Sequence, residues 1–226
     1  MGGPAAGLVV QLAQLAVLSI GWGLGLAGWL AGTAYGVGST VLLVTALRRS
    51  PAGRLGPADL VTLARSTLVG SVTALVVADL GGVPAERPVL VSIATVALLL
   101  DAVDGRVARA TGTASALGAR FDMEVDAFLL VVLSMFVAPS LGPWVLAIGG
   151  MRYAFVAAGW VLPWLRAPVP PSLARKTVAA AQGVALVAAS AGLLGRPLEK
   201  VIVGLALALL VWSFGRDIVW LWRARG

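Results

Sequence analysis

The chain has no cysteine and no histidine among its 226 residues. That excludes disulfides, thiolate nucleophiles, imidazole bases and zinc sites of the Cys/His kind. Any metal must be held by oxygen ligands, which suit Mg²⁺, Mn²⁺ or Ca²⁺. Charge is also scarce. Only 12% of residues are charged, against about 25% in a soluble domain. Hydrophobic residues make up 59% of the chain and the mean hydropathy is +0.96. Lipid is therefore the expected solvent. No basic residue precedes Arg48, so a cleaved signal peptide is not expected.

What is present is a series of long apolar runs. They lie at 5–24, 28–47, 59–80, 88–109, 117–139, 143–165, 177–195 and 199–221, near the length of about 20 residues that a spanning helix needs. The first two are joined by GWGLGLAGWLAG, whose glycines fit either a turn or a bend. Turn signals fall at Pro51, Gly56-Pro57, Gly81-Gly82, Pro139, Gly142-Pro143, Pro168 to Pro171 and Gly195 to Pro197. The expected fold is an all-α integral membrane protein, with two spans over 1–50 and six over 51–226. No repeat or separate soluble domain is evident.

The formal net charge of +7 could suggest nucleic acid, but the basic residues lie in short connections between apolar runs. Positive-inside topology and anionic lipid headgroups explain that placement better. One side carries Arg48, Arg49, Arg54, Arg106, Arg109, Arg120, Arg166, Arg175, Lys176, Arg223 and Arg225. The other carries Arg87, Arg196 and Lys200, partly offset by Glu86 and Glu199. The bias predicts that the first set is cytoplasmic, as in a bacterial-type cytoplasmic membrane. Trp220 and Trp222 beside Arg223 read as an interfacial anchor.

The few acidic residues are concentrated. Five of the ten fall within 101–126, DAVDGRVARATGTASALGARFDMEVD. Asp101 and Asp104 are three apart and share a helix face; Asp122 and Asp126 are four apart and share another. A helical hairpin would bring the two pairs together at the membrane surface. Four carboxylates in a poorly hydrated pocket repel one another and call for cations, and two divalent ions of the kind used in phosphoryl chemistry would neutralise them. Gly105 leaves room for a ligand beside Asp104. Arg109, four residues on, is suited to grip a phosphate as a fork, and Gly118 opens the facing helix in the same way. A single such Asp serves as well as an interfacial residue or a helix–helix hydrogen bond. Four of them, with two glycines and an arginine, point to function, because intramembrane ionisable groups are costly. Glu124 sits off the Asp122/Asp126 face and reads as a solvated or hydrogen-bonded neighbour.

The order D-x2-D-G-x2-A-R-x8-G-x3-D-x3-D, running from Asp101 to Asp126, resembles the signature of the CDP-alcohol phosphotransferase (phosphatidyltransferase) family at every fixed position. Two shorter stretches resemble the family as well. PADLVTLAR carries Asp59 and Thr62, with Ala58 intervening after Pro57. KTVAAAQ carries Lys176 and Gln182, with Ala179 where the family has Thr. The resemblance covers about residues 57–221 and implies a six-helix transmembrane core over 51–226, with 1–50 as a two-helix N-terminal extension, and a transferase of phospholipid biosynthesis. It would pass a substituted phosphate from a CDP-alcohol, commonly CDP-diacylglycerol, to a second alcohol with release of CMP. It further implies that Asp101, Asp104, Asp122 and Asp126 bind two Mg²⁺ or Mn²⁺ ions and that Asp126 is also the base. Asp59, Thr62, Gly105, Arg109, Ser115 and Gly118 would serve the CDP-alcohol, and a homodimer is expected.

Arg152 and Lys176 are candidates for an anionic acceptor, with snorkelling or topology as the alternative; for Arg175 the topological role is preferred. Arg65, within an apolar span, either pairs with Asp59 or reaches the active site. Asp79 and Arg87 read as structural, at the opposite surface. Two rival functions use intramembrane carboxylates. A prenyltransferase binding a prenyl diphosphate through Mg²⁺ would set its Asp-rich motifs far apart in sequence. A cation-coupled transporter would place them near mid-membrane, in two related halves. Here both pairs lie within 26 residues at span ends, which favours the phosphotransferase.

Overall fold

The computed structural model describes residues 2–49, 56–111, 116–170 and 172–225, with side chains over these ranges except at 2, 49, 57–58, 102, 104–111 and 116–117. Their regular structure is helical: α1 (Gly2–Trp22), α2 (Gly25–Arg49), α3 (Pro57–Leu80), α4 (Arg87–Thr111), α5 (Ala116–Leu141), α6 (Leu146–Val161), α7 (Leu173–Ala191) and α8 (Arg196–Arg223). Short 3₁₀ turns lead into α6 at Pro143–Val145 and follow it at Pro163–Arg166.

Among the described residues, six segments are long and apolar enough to cross a membrane: α1, α2, α3, α5, α8, and α6 together with its 3₁₀ lead. This is the composition of an integral membrane protein. The sequence reading treated α4 and α7 as spans too. As helices they are present, but neither is among those six. The C-terminal end of α4 carries Asp101, Asp104, Arg106 and Arg109, and α7 has Arg175 and Lys176 in its first turn.

Helix ends follow local chemistry. Positive φ at Gly23 (74°) and Gly25 (58°) breaks the first apolar stretch into two helices, resolving the turn-or-bend alternative as a turn. At α3, Gly56 is the N-cap, Pro57 sits in the first turn, and the Asp59 carboxylate accepts a hydrogen bond from the Gly56 N–H at 2.8 Å. Pro139, read as a turn signal, lies inside α5. The chain turns three residues later, at Gly142, where φ is 120°, a conformation that glycine adopts readily. The α7 helix ends on Gly192 in the left-handed region, a few residues earlier than the apolar run suggested.

The chain forms two compact units, 1–132 and 133–226. In the first, α3 is the buried central helix; Val69, Val72, Ala74, Leu75 and Val76 are essentially sealed from solvent. The α1–α2 hairpin and α4 pack against it. The hairpin approaches closely. A Cβ on Gly28 would stand 2.7 Å from the Ala74 carbonyl oxygen, and one on Gly32 would stand 2.7 Å from Leu15. Glycines spaced by four on α2 therefore let two backbones meet, the usual route to tight association where lipid supplies no hydrophobic drive. In the second unit α7 and α8 pair, and α6 contacts α8. Phe155 meets Phe214 edge-on with centroids 5.4 Å apart, and the buried Gln182 amide donates to the Ala206 carbonyl at 2.8 Å.

Candidate active site

The first unit gathers charge at one place. Arg65 projects from α3, three residues past Thr62 and six past Asp59, so the three positions lie along one side of the helix. Its side chain is 1% exposed, and a buried guanidinium in an apolar bundle needs anionic partners. It has three. Nη1 donates to Oδ1 of Asp101 on α4 and to Oδ1 of Asp126 on α5, the latter at 2.8 Å. Nη2 donates to Oδ1 of Asp122 and, at 3.4 Å, toward that residue's backbone carbonyl. The planar guanidinium thus ties three helices together with donors in fixed directions, which an ammonium could not reproduce.

The carboxylates face one another across this arginine. Asp101, Asp122 and Asp126 each offer an oxygen, all within 4.8 Å of one another. Their side chains are 33–40% exposed, so the cluster is open to solvent on one side while Arg65 closes the other. Among the described side chains, one guanidinium against three carboxylates leaves a formal surplus of two negative charges. An all-oxygen, anionic donor set of this kind fits a hard divalent cation such as Mg²⁺ or Mn²⁺.

Of the residues singled out in the sequence, Asp101, Asp122 and Asp126 are therefore brought together. Asp104, Gly105 and Arg109 follow Asp101 on α4, and Gly118 precedes Asp122 by one turn on α5. The side chains of Asp104 and Arg109, and all of Ser115, lie outside the described residues. Thr62 is buried on α3 at 3% exposure. Asp59 is buried as well and uses one carboxylate oxygen to cap α3; it does not stand free for a ligand at that atom. Glu124 is exposed, as its position off the Asp face suggested. Arg152 on α6 is half-buried and Lys176 on α7 is exposed; both belong to the second unit. There Arg175 pairs with Asp217 at 3.3 Å and donates to the Pro170 carbonyl, so its role is to hold the start of α7 against α8. Asp79, at the other end of α3, accepts from the Ala85 N–H at 3.0 Å and fixes the α3–α4 turn, a structural role as expected.

Arg65 is the main addition to the site. The sequence left it between Asp59 and the acidic window, and the three carboxylates are its ion-pair partners. Its signal was available: a lone cation in a run of α3 otherwise free of charge from 60 to 78. Tyr35 and Phe128, whose rings meet beside the cluster with centroids 4.9 Å apart, carried no such signal, because nothing local couples residues so far apart in the chain.

A family model described as CDP-alcohol phosphatidyltransferase matches residues 55–212. No curated protein and no solved structure gives a match.

Proposed function

Because the chain belongs to the CDP-alcohol phosphatidyltransferase family, we propose that it transfers a phosphatidyl group from a CDP-alcohol, CDP-diacylglycerol in the first instance, to a second alcohol with release of CMP. The observation that carries this reading is the convergence of Asp101, Asp122 and Asp126 on one point, within the segment where the family's acidic signature falls.

In this reading Asp101, Asp104, Asp122 and Asp126 hold two divalent ions, Mg²⁺ or Mn²⁺. When bound, these ions supply Lewis-acid stabilisation of charge developing on the phosphate oxygens. Asp126 accepts the proton of the acceptor hydroxyl. The acceptor oxygen bonds to the β-phosphorus, the bond from that phosphorus to the bridging oxygen breaks, and the electron pair leaves with CMP. Arg109 grips the diphosphate as a fork, and Gly105 and Gly118 leave space for it. Thr62 and Ser115 contribute hydroxyls toward the CDP portion, while Asp59 serves it indirectly by holding the start of α3. Arg65 holds Asp101, Asp122 and Asp126 in register through its fixed donors. Arg152 and Lys176 are reserved for an anionic acceptor.

The basic bias of the connections supports a cytoplasmic orientation of the site. There a soluble acceptor and a membrane-bound donor meet at the surface. Residues 1–50 form an extension to a catalytic domain spanning 51–226, and a second copy of the chain is the expected partner.

The test is incubation of the purified protein with CDP-diacylglycerol, Mg²⁺ or Mn²⁺, and a panel of acceptor alcohols, with CMP and the lipid product followed by mass spectrometry. Metal-dependent CMP release coupled to a new phosphodiester is expected. No release with any acceptor, alongside an active family member as control, would overturn the reading.

A further inference from the structure

The α1–α2 hairpin lies before the family match, which begins at residue 55, yet it reaches the charged cluster's own helices. The Tyr35 hydroxyl on α2 and Ser66 Oγ on α3 are 3.1 Å apart. The Tyr35 ring rests on Phe128 of α5, centroids 4.9 Å apart and planes tilted by 33°. Ser66 is the residue after Arg65, and Phe128 is two residues past Asp126. One side chain from the extension therefore touches both helices that supply the Arg65–Asp126 ion pair.

The hairpin is well seated for such a role. Gly28 brings α2 so close to α3 that a Cβ there would collide with the Ala74 carbonyl, and a Cβ on Gly32 would collide with Leu15 of α1 and stand 3.0 Å from the Ala74 Cβ. On α1, Gln14 Oε1 accepts from Ser71 Oγ at 3.1 Å, and Gly70 has no side chain where the Gln11 amide lies against it. Tyr35 thus hangs from an element that cannot slide along α3 without breaking close packing. Its phenol has two rotatable bonds, a buried hydroxyl partner and an aromatic neighbour, so it defines a distance rather than merely filling space. That distance matters because the carboxylates approach from a different helix than the arginine. A displacement of about 1 Å between α3 and α5 would degrade the hydrogen bonds and any geometry built on them, and misplacements of this size cost about 100-fold in rate.

We propose that Tyr35 is a positioning residue for the catalytic centre, and that the N-terminal hairpin acts through it to fix the spacing of α3 and α5 at the carboxylate cluster. Its effect on turnover rests on the phosphatidyltransferase reading; its effect on helix spacing does not.

The chain's lack of cysteine makes the spacing measurable. Nitroxide labels are placed at Leu60→Cys on α3, half exposed, and Ala119→Cys on α5, also exposed. Their separation is read by pulsed dipolar spectroscopy in the full-length protein. Three backgrounds are compared with the parent: Tyr35→Leu, Tyr35→Phe, and Ser71→Ala, which removes a hairpin–α3 contact one turn further along the helix. Tyr35→Leu is expected to broaden or shift the distance distribution by about 1 Å or more and to lower kcat about tenfold or more, with donor KM changed less than about twofold. Tyr35→Phe keeps the ring contact and should recover most of both. Ser71→Ala should match the parent. Superimposable distance distributions for Tyr35→Leu and Ser71→Ala would overturn the proposal, whether or not the protein transfers a phosphatidyl group. Absence of transfer in the parent would instead count against the function, leaving the spacing result to stand by itself.

Discussion

Arg65 and Asp126, 61 positions apart in the sequence, meet with 2.8 Å between Nη1 and Oδ1. The same nitrogen also serves Asp101, and its sister nitrogen serves Asp122. A cation carried by the protein thus stands at the focus of carboxylates whose chemistry invites further cations. The arginine neutralises part of the charge in all conditions. The rest stays on carboxylates whose oxygens, within 4.8 Å of one another, are close enough to share a metal ion. This division explains how so many acidic groups persist at the end of an apolar bundle without forcing it apart, since burial of like charges without compensation is strongly unfavourable.

Arg65→Gln should lower the thermal midpoint of the detergent-solubilised protein measured in a chelator, by an amount corresponding to about 3 kcal/mol. That is the low end for breaking a buried ion pair, because the carboxylates are partly exposed. Mg²⁺ should restore more stability to the variant than it adds to the parent. Arg65→Lys keeps the charge and should recover only part of the loss, because one ammonium cannot supply the guanidinium's separate directions. Equal midpoints for parent and Arg65→Gln in chelator would show that the arginine does not hold the cluster.

Asp126→Asn should reduce the turnover number by about 100- to 10,000-fold, the range expected for loss of a positioned base with some loss of metal affinity. Binding of the CDP-alcohol, followed by protection against heat unfolding, should weaken far less, since most of the proposed nucleotide contacts lie elsewhere. CMP release by the variant at close to the parental rate would remove Asp126 from the role of base.

Asp79→Leu should destabilise the fold without touching the chemistry. Its carboxylate accepts the Ala85 N–H across the α3–α4 turn, where Gly82 has φ of 90°. Losing that bond should cost about 1–2 kcal/mol, while Asp79→Asn, which retains a carbonyl acceptor, should cost less. Thermal midpoints rank the two, and turnover at a temperature where both are folded should equal the parent's. A large fall in turnover for the Asn variant would mean that this end of α3 is coupled to the site.

The acidic cluster was legible in the sequence because its pairs are local. The spacing of four puts Asp122 with Asp126 on one face of α5, and Asp101 of α4 meets them within 4.8 Å; the Asp104 side chain lies outside the described residues. The end of α3 was legible for the same reason, since Gly56, Pro57 and Asp59 compose a start signal within four residues. Arg65 could only be narrowed to two destinations, because its partners are 36 to 61 residues away and no periodicity encodes which helix faces which. The break between α1 and α2 was undecidable from composition, since glycine permits a turn without requiring one. Pro139 misled for a related reason. Proline favours a turn without requiring one at its own position, and α5 runs past it to Leu141. The reach of Tyr35 to both Ser66 and Phe128 belongs wholly to tertiary packing.

Gln11 offers a test of that packing. It lies on α1 at 1% exposure, and neither its Nε2 nor its Oε1 has a hydrogen-bond partner among the described residues. Its flat amide fits against the bare backbone of Gly70, so shape, not hydrogen bonding, accounts for its placement. A buried amide left unsatisfied costs about 1–3 kcal/mol. Gln11→Met keeps the slim, unbranched outline and removes both polar atoms, so it should raise the thermal midpoint in detergent. Gln11→Leu removes them too, but its branch would press on Gly70, and overpacking should cancel the gain. If Met lowered the midpoint instead, the amide would have to be satisfied within the membrane, and the contact of Gln11 with α3 would be polar where the structure makes it steric.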